Sequence, residues 1–302
     1  MTVAFPNAGP VTLKTNLADY PVTHALRSGE VKSDLVTFDF AGPKLAYEGF
    51  KPMVREGTFD AGELAIVTFL QAKAYGKPLV LLPAVVMGRF QHQCIGYNTT
   101  RGKLSPDNIA GRRFGIRSYT QTTGVWIRGV LQHEHGVNPE TVTWVCWDDA
   151  HLAEYSDPPH VERVASGAKK IDRMLLDGDL DGAIVGELPD DLRVRPLFPD
   201  PLAAARDWAR KYATVPINHL FVVNAALSKT RPDVVKEIYR VLLASKKAAP
   251  PHPSGIDFHP FGMAALRKPL ELIIQYAFEQ KIIPRRFAVD ELLDDTTGAL
   301  EA

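Results

Sequence analysis

Short runs of β-branched and aliphatic residues alternate with longer stretches whose apolar positions recur every three or four residues, the pattern of βαβ units around largely parallel sheets. The early part of the chain predicts strands over 11–17, 36–40 and 79–86. A helical stretch containing His24 stops at Gly29. A helix over 64–75 is preceded by Phe59-Asp60-Ala61-Gly62-Glu63 and stopped by Gly76. A second series opens at the turn Ser105-Pro106-Asp107-Asn108. It continues with a strand at 114–116, an amphipathic helix over 124–135 stopped by Gly136, a strand at 142–147, a helix at 168–176 and an apolar run at 180–185, ending near Leu197. A strand at 219–224 and helices at 232–245 and 262–280 complete the pattern. The fold class is α/β.

Two strand-like segments, 91–97 and 218–224, fall where the two series meet and read as crossings. They divide the chain into a discontinuous lobe, 1–95 plus 220–302, and an inserted lobe, 96–219. A central cleft between such lobes is where a small ligand is expected. The Pro-dense segment 248–255 is the one linker-like stretch, and no repeat of fixed period is evident.

Composition narrows the function. The 302 residues carry 35 Lys+Arg against 35 Asp+Glu, so the formal charge is zero and no global field draws polyanions or anionic membranes. Nucleic acid and membrane are therefore not expected partners. The longest apolar run is broken by Pro83 and falls short of the ~18 residues of a membrane span. The first residues lack the charged start and apolar run of a secretory leader, which points to the cytoplasm. Cys94 and Cys146 lie in no metal-binding spacing and read as buried thiols. His133-Glu134-His135 resembles a metal cluster, but adjacent residues face different sides of a helix. The chain has no GxGxxG, GxxxxGK[ST] or GxSxG.

What remains is anion and proton chemistry. Arg117, Ser118, Thr120, Thr122 and Thr123 lie between a strand and the start of a helix, where amide N–H groups, the helix dipole and a guanidinium all favour a carboxylate or phosphate. An ordinary N-cap beside a surface arginine accounts for the same residues. Arg89 and His92 follow a buried strand at the first crossing, and His219 opens the second, so two histidines distant in sequence are candidates for one cleft. Glu63 at the start of the 64–75 helix and Glu187 after the apolar run 180–185 are candidate carboxylates, with capping and solvation as the competing explanations. His24 is a further candidate contact.

Several segments carry a family resemblance: Phe50-Lys51-Pro52-Met53-Val54-Arg55-Glu56, Phe59-Asp60 with Glu63-Leu64-Ala65, Lys77-Pro78-Leu79-Val80-Leu81-Leu82-Pro83, Gly88-Arg89-Phe90-Gln91-His92 and Leu180-Asp181-Gly182-Ala183-Ile184. Together they resemble the 4,5-dihydroxyphthalate decarboxylase family, from about Leu13 to Phe287. That family is similar in fold to type II periplasmic solute-binding proteins, two α/β lobes joined by two crossings. The resemblance implies a cytoplasmic carboxy-lyase that removes one carboxylate from a dihydroxylated aromatic dicarboxylate without an organic cofactor. Such chemistry needs cations for two carboxylates, a base and an acid. By chemistry and position, Arg89 and Arg117 are assigned to the carboxylates and the loop hydroxyls to neutral donation. His92 is assigned as proton donor, and His219 or Glu187 as acceptor of the catechol proton. A divalent metal stays open, because a catechol pair and histidines leave no linear motif. The expected partner is a small aromatic carboxylate, with a homo-oligomer left open. The alternatives are a solute-binding protein of the same fold and a decarboxylase acting on another aromatic acid.

Overall fold

The computed structural model describes residue 5 and residues 8–301. Residues 1–4, 6 and 7 of the segment read as lacking a leader lie outside the described residues. In chain order the first elements are β1 (Val11–Asn16), α1 (Pro21–Arg27), β2 (Val36–Asp39), α2 (Phe50–Glu56), β3 (Ala61–Ala65), α3 (Ile66–Ala74) and β4 (Leu79–Gly88). They are followed by β5 (Ile95–Asn98), β6 (Arg113–Ile116), α4 (Thr122–His135), β7 (Thr143–Cys146), β8 (Val161–Arg163), α5 (Ile171–Asp177), β9 (Gly182–Ile184), β10 (Val194–Pro196) and α6 (Pro201–Tyr212). The chain closes with β11 (Ile217–Asn224), α7 (Ala225–Thr230), α8 (Pro232–Ala248), α9 (Met263–Glu279) and α10 (Asp295–Gly298).

The chain divides into two compact units. Unit 1 takes residues 1–89, 217–274 and 283–302; unit 2 takes 90–216 and 275–282, so the last turns of α9 belong with the second unit. Unit 1 is built on a five-stranded sheet of order β2-β1-β3-β11-β4, in which β11 runs antiparallel to both neighbours and the β1 pairings are parallel. Its core is aliphatic, from Leu13 and Leu82 through Phe221 to Val235 and Ile238. Pro83 falls where the β4–β11 register is irregular, between the Leu81–Val222 and Val85–Leu220 pairs, so its missing N–H interrupts no regular ladder bond. Unit 2 carries a six-stranded sheet of order β10-β5-β9-β6-β7-β8, with β6, β7, β8 and β9 parallel.

Two local expectations are corrected. Glu63 is not at a helix start. Ala61-Gly62-Glu63-Leu64-Ala65 is fully buried and hydrogen-bonds to β1 and β11 as a strand, and the helix begins only at Ile66. Gly62 takes φ 153°, and a methyl there would stand 2.3 Å from the Asn16 carbonyl oxygen, so close approach of β1 demands glycine. The segment read as a strand from residue 91 begins instead with a single 3₁₀ turn, His92–Cys94, ahead of β5. No helix among the described residues is long and apolar enough to cross a membrane.

Candidate functional site

The strand register of unit 1 builds its polar centre. His219 on β11 stands opposite Ala65 on β3, and Glu63 lies two residues along, on the same face. Such diagonal neighbours are within reach of long side chains. The imidazole Nδ1 is 2.7 Å from Glu63 Oε2. Two further donors come from the segment after β1. The Ala18 N–H donates to Oε1 at 2.6 Å, and the Tyr20 hydroxyl donates to Oε2 at 3.0 Å. Glu63 has no solvent exposure, yet its charge is met by three donors, the condition under which a buried carboxylate is stable. Burial, with the Glu63 charge and hydrogen bond, pushes the Tyr20 phenol well above its ordinary range, so it remains a donor.

A carboxylate only accepts, which places the imidazole hydrogen on Nδ1 and leaves the Nε2 lone pair as the neutral ring's acceptor. Phe50, at the start of α2, meets the imidazole edge-to-face with centroids 5.1 Å apart and fixes its plane. The His219 side chain keeps 15% exposure. The unit therefore presents an imidazole whose tautomer and orientation are set from behind, at the carboxyl ends of β1 and β3, where open α/β sheets take ligands.

Unit 2 holds the loop between β6 and α4. Ser118, Thr120, Thr122 and Thr123 are all buried, and Ser118 Oγ and Thr120 Oγ1 are 3.3 Å apart. Arg117 is partly exposed, with its guanidinium 3.8 Å from Asp148. Thr122 and Thr123 open the 14-residue α4, whose N-cap Gln121 makes no side-chain capping bond. Beneath the loop runs Arg128, which has no solvent exposure. It donates from Nη2 to the Tyr119 carbonyl at 2.5 Å and from Nε to Gln280 Oε1 at 2.7 Å, and stacks 4.0 Å from the Tyr119 ring centroid. Gln280 in turn donates to the Val125 carbonyl at 2.9 Å.

The remaining sequence candidates fall elsewhere. His24 is an exposed residue of α1 paired at 3.0 Å with Asp19. Glu63, assigned to substrate, has both oxygens engaged by Ala18, Tyr20 and His219. Arg89 is a half-buried residue that follows β4 directly and ends the first segment of unit 1. Glu187 is exposed in the loop after β9 and bonded to neither cluster. His92 is buried against Phe198, centroids 4.9 Å apart. Desolvation, reinforced by His135, lowers its pKa to about 4. At neutral pH its ring is therefore uncharged. Among the described residues, no three His, Cys, Asp or Glu side chains gather to hold a metal.

Sequence reasoning missed Tyr20, Phe50 and Arg128. Tyr20 and Phe50 become relevant only through the tertiary register. Arg128 left a local trace, since Gly124, Val125 and Leu131 place it on the apolar face of α4.

No family model matches the chain. Among curated proteins it is 27% identical over 257 residues to the 4,5-dihydroxyphthalate decarboxylase of Comamonas testosteroni, spanning 78% of this chain and 75% of that one. It is 27% identical over 220 residues to the enzyme of the same name from Pseudomonas putida, spanning 66% and 82%. These relatives support the resemblance read from the sequence. Among solved structures, the alkanesulfonate-binding protein SsuA of Xanthomonas axonopodis pv. citri, bound to MOPS, aligns with TM-score 0.56 at 12% identity over 95% of this chain and 99% of its own. The putative periplasmic sulfonate-binding SsuA of Methylobacillus flagellatus KT aligns with TM-score 0.57 at 10% identity over 96% and 93%. The desulfurization enzyme DszB aligns with TM-score 0.54 at 16% identity over 94% and 97%. The chain has the type II periplasmic-binding-protein-like fold.

Proposed function

We propose that the chain is a decarboxylase of a dihydroxylated aromatic carboxylate, with 4,5-dihydroxyphthalate as substrate and protocatechuate and carbon dioxide as products. Two lines support this reading: the decarboxylase relatives, and above all the Glu63–His219 pair, whose 2.7 Å bond holds an imidazole base in one tautomer. Neutral Nε2 accepts the proton of the hydroxyl para to the departing carboxylate, and Glu63 stabilises the imidazolium that forms. The oxyanion electrons enter the ring, and the carbon bearing the carboxylate takes one proton from bulk solvent. The carbon–carboxylate bond then breaks, carbon dioxide leaves, and its bonding pair restores aromaticity. The phenolate finally recovers its proton from His219, so one proton is consumed per turnover.

Within unit 2, Ser118, Thr120, Thr122 and Thr123, with Arg117 and the first turn of α4, offer the kind of donors that a carboxylate takes. The para hydroxyl supplies the electrons, so the reaction needs no organic cofactor. The alternative, a solute-binding protein, is favoured only by the fold shared with the sulfonate-binding proteins. Incubating purified protein with 4,5-dihydroxyphthalate, with and without chelator, separates the readings. Chelator-insensitive release of carbon dioxide and protocatechuate is expected. Binding of the dicarboxylate without turnover would overturn the enzymatic reading in favour of capture.

A further inference from the structure

We propose that Arg128 is the buried positive charge of a carboxylate site formed by loop 117–121 and the first turn of α4, acting as a positioning residue for that loop. The inference deepens the proposed function, whose carboxylate donors are the loop side chains and helix N–H groups. Three observations carry it.

First, the guanidinium has no solvent exposure, and among the described residues no carboxylate lies within ion-pair distance of it. Asp157 acts on it only at longer range, and that carboxylate is bonded to Arg163 at 2.7 Å. An arginine remains protonated in proteins, so the cation is buried without a neutralising partner. Second, Nη1 has no hydrogen-bond partner among the described residues, although the side chain is wholly buried. A methyl on Gly124 would come to 3.0 Å from that nitrogen, so Nη1 lies along the first turn of α4. The same methyl would stand 2.3 Å from Ile116 Cδ1, so glycine at 124 is what lets β6, the turn and the guanidinium pack in direct apposition. Third, Nη2 grips the Tyr119 carbonyl in the middle of the loop and the guanidinium stacks on the Tyr119 ring, while Gln280 ties Nε to the backbone of α4 at Val125. One side chain therefore joins the two halves of the proposed site, loop and helix start, and adds a whole charge to the helix's partial one.

The chemical class that satisfies this arrangement is a small anion. A carboxylate at the head of α4 would receive helix N–H groups and hydroxyls directly, while Arg128 acts on it from behind. An uncharged catechol gains nothing from the buried charge.

The test uses phthalate, which carries the carboxylates but cannot follow the decarboxylation route, and catechol as its neutral counterpart, each titrated calorimetrically into wild type, Arg128→Met and Arg128→Lys. The expected result is at least a tenfold weaker phthalate affinity in Arg128→Met, recovery to within about threefold in Arg128→Lys, and unchanged catechol affinity. Equal loss for both ligands would mean a merely structural role and would overturn the proposal, as would unchanged phthalate affinity. Should Arg128→Met not fold, the Arg128 side-chain ¹⁵N resonances of the wild type, assigned by comparison with Arg128→Lys, carry the test. They are expected to shift on phthalate addition and not on catechol addition; resonances indifferent to phthalate would overturn the inference. Arg128-dependent phthalate binding without decarboxylation of 4,5-dihydroxyphthalate would sustain this inference and refute only the enzymatic reading. Turnover with Arg128-independent affinity would do the reverse.

Discussion

His219 concentrates the chemistry in a single lone pair. Replacing it with glutamine removes the proton acceptor but leaves a side chain able to hydrogen-bond Glu63, so His219→Gln is expected to lower kcat by about 10²-fold or more with substrate affinity little changed. Glu63→Gln keeps the shape and loses the charge that stabilises imidazolium. Its kcat is expected to fall by at least tenfold, and the double variant to be no worse than the poorer single one, since the two act as a unit. Steady-state kinetics on the four proteins checks both, and additive losses would show that the residues work separately. Both positions were visible as candidates in the sequence, but their partnership was not. A histidine and a glutamate 156 positions apart meet only through the β3–β11 register, which no local pattern specifies. His24 and Glu187, both exposed, looked equally eligible in one dimension for the same reason.

At the level of elements, the strand β3 shows where sequence reading stops. Strands such as β1 and β4 and the helix α4 were legible from aliphatic alternation, apolar runs and the left-handed Gly136 that ends the helix. Ala-Gly-Glu-Leu-Ala lacks β-branched residues and reads as a helix approach, and tertiary pairing on both edges overrides that preference. The glycine within it reports the crowding. Gly62→Ala forces a side chain onto the Asn16 backbone at φ 153°. The expected loss is about 2 kcal/mol or more in denaturant unfolding, with reduced activity because Glu63 is its neighbour. A variant as stable as wild type would mean that β1 and β3 are free to move apart. The short helix α2, which brings Phe50 to His219, was not predicted at all. Its seven residues include Pro52 and are held by tertiary packing of Phe50, Met53 and Val54 rather than by periodicity.

For the whole molecule, acid sensitivity follows from His92. Its folded pKa near 4 lies below the ordinary 6.5, so the unfolded chain binds the proton first. Stability from this group is complete above pH 6.5 and is lost as pH falls from there toward 4, by on the order of 3 kcal/mol. Burial lowers the pKa values of His160 and His259 in the same direction, and they steepen the same limb. His92→Gln is expected to flatten the decline between pH 6.5 and 4 in equilibrium unfolding. An unchanged slope would show that His92 titrates normally in the folded protein. The two-lobe α/β architecture itself was readable from alternating strands and helices, whereas the assignment of residues 275–282 to the second unit depended on packing around Gln280 and Tyr276.

In the proposed reaction a Glu63-oriented His219 drives loss of one carboxylate from a dihydroxylated aromatic acid. The most direct test is carbon dioxide release from 4,5-dihydroxyphthalate by wild type and His219→Gln, run alongside phthalate binding to both. Wild-type turnover with a loss of about 10²-fold in the variant, at matched phthalate affinity, is the predicted result. Equal turnover in the two proteins would contradict it.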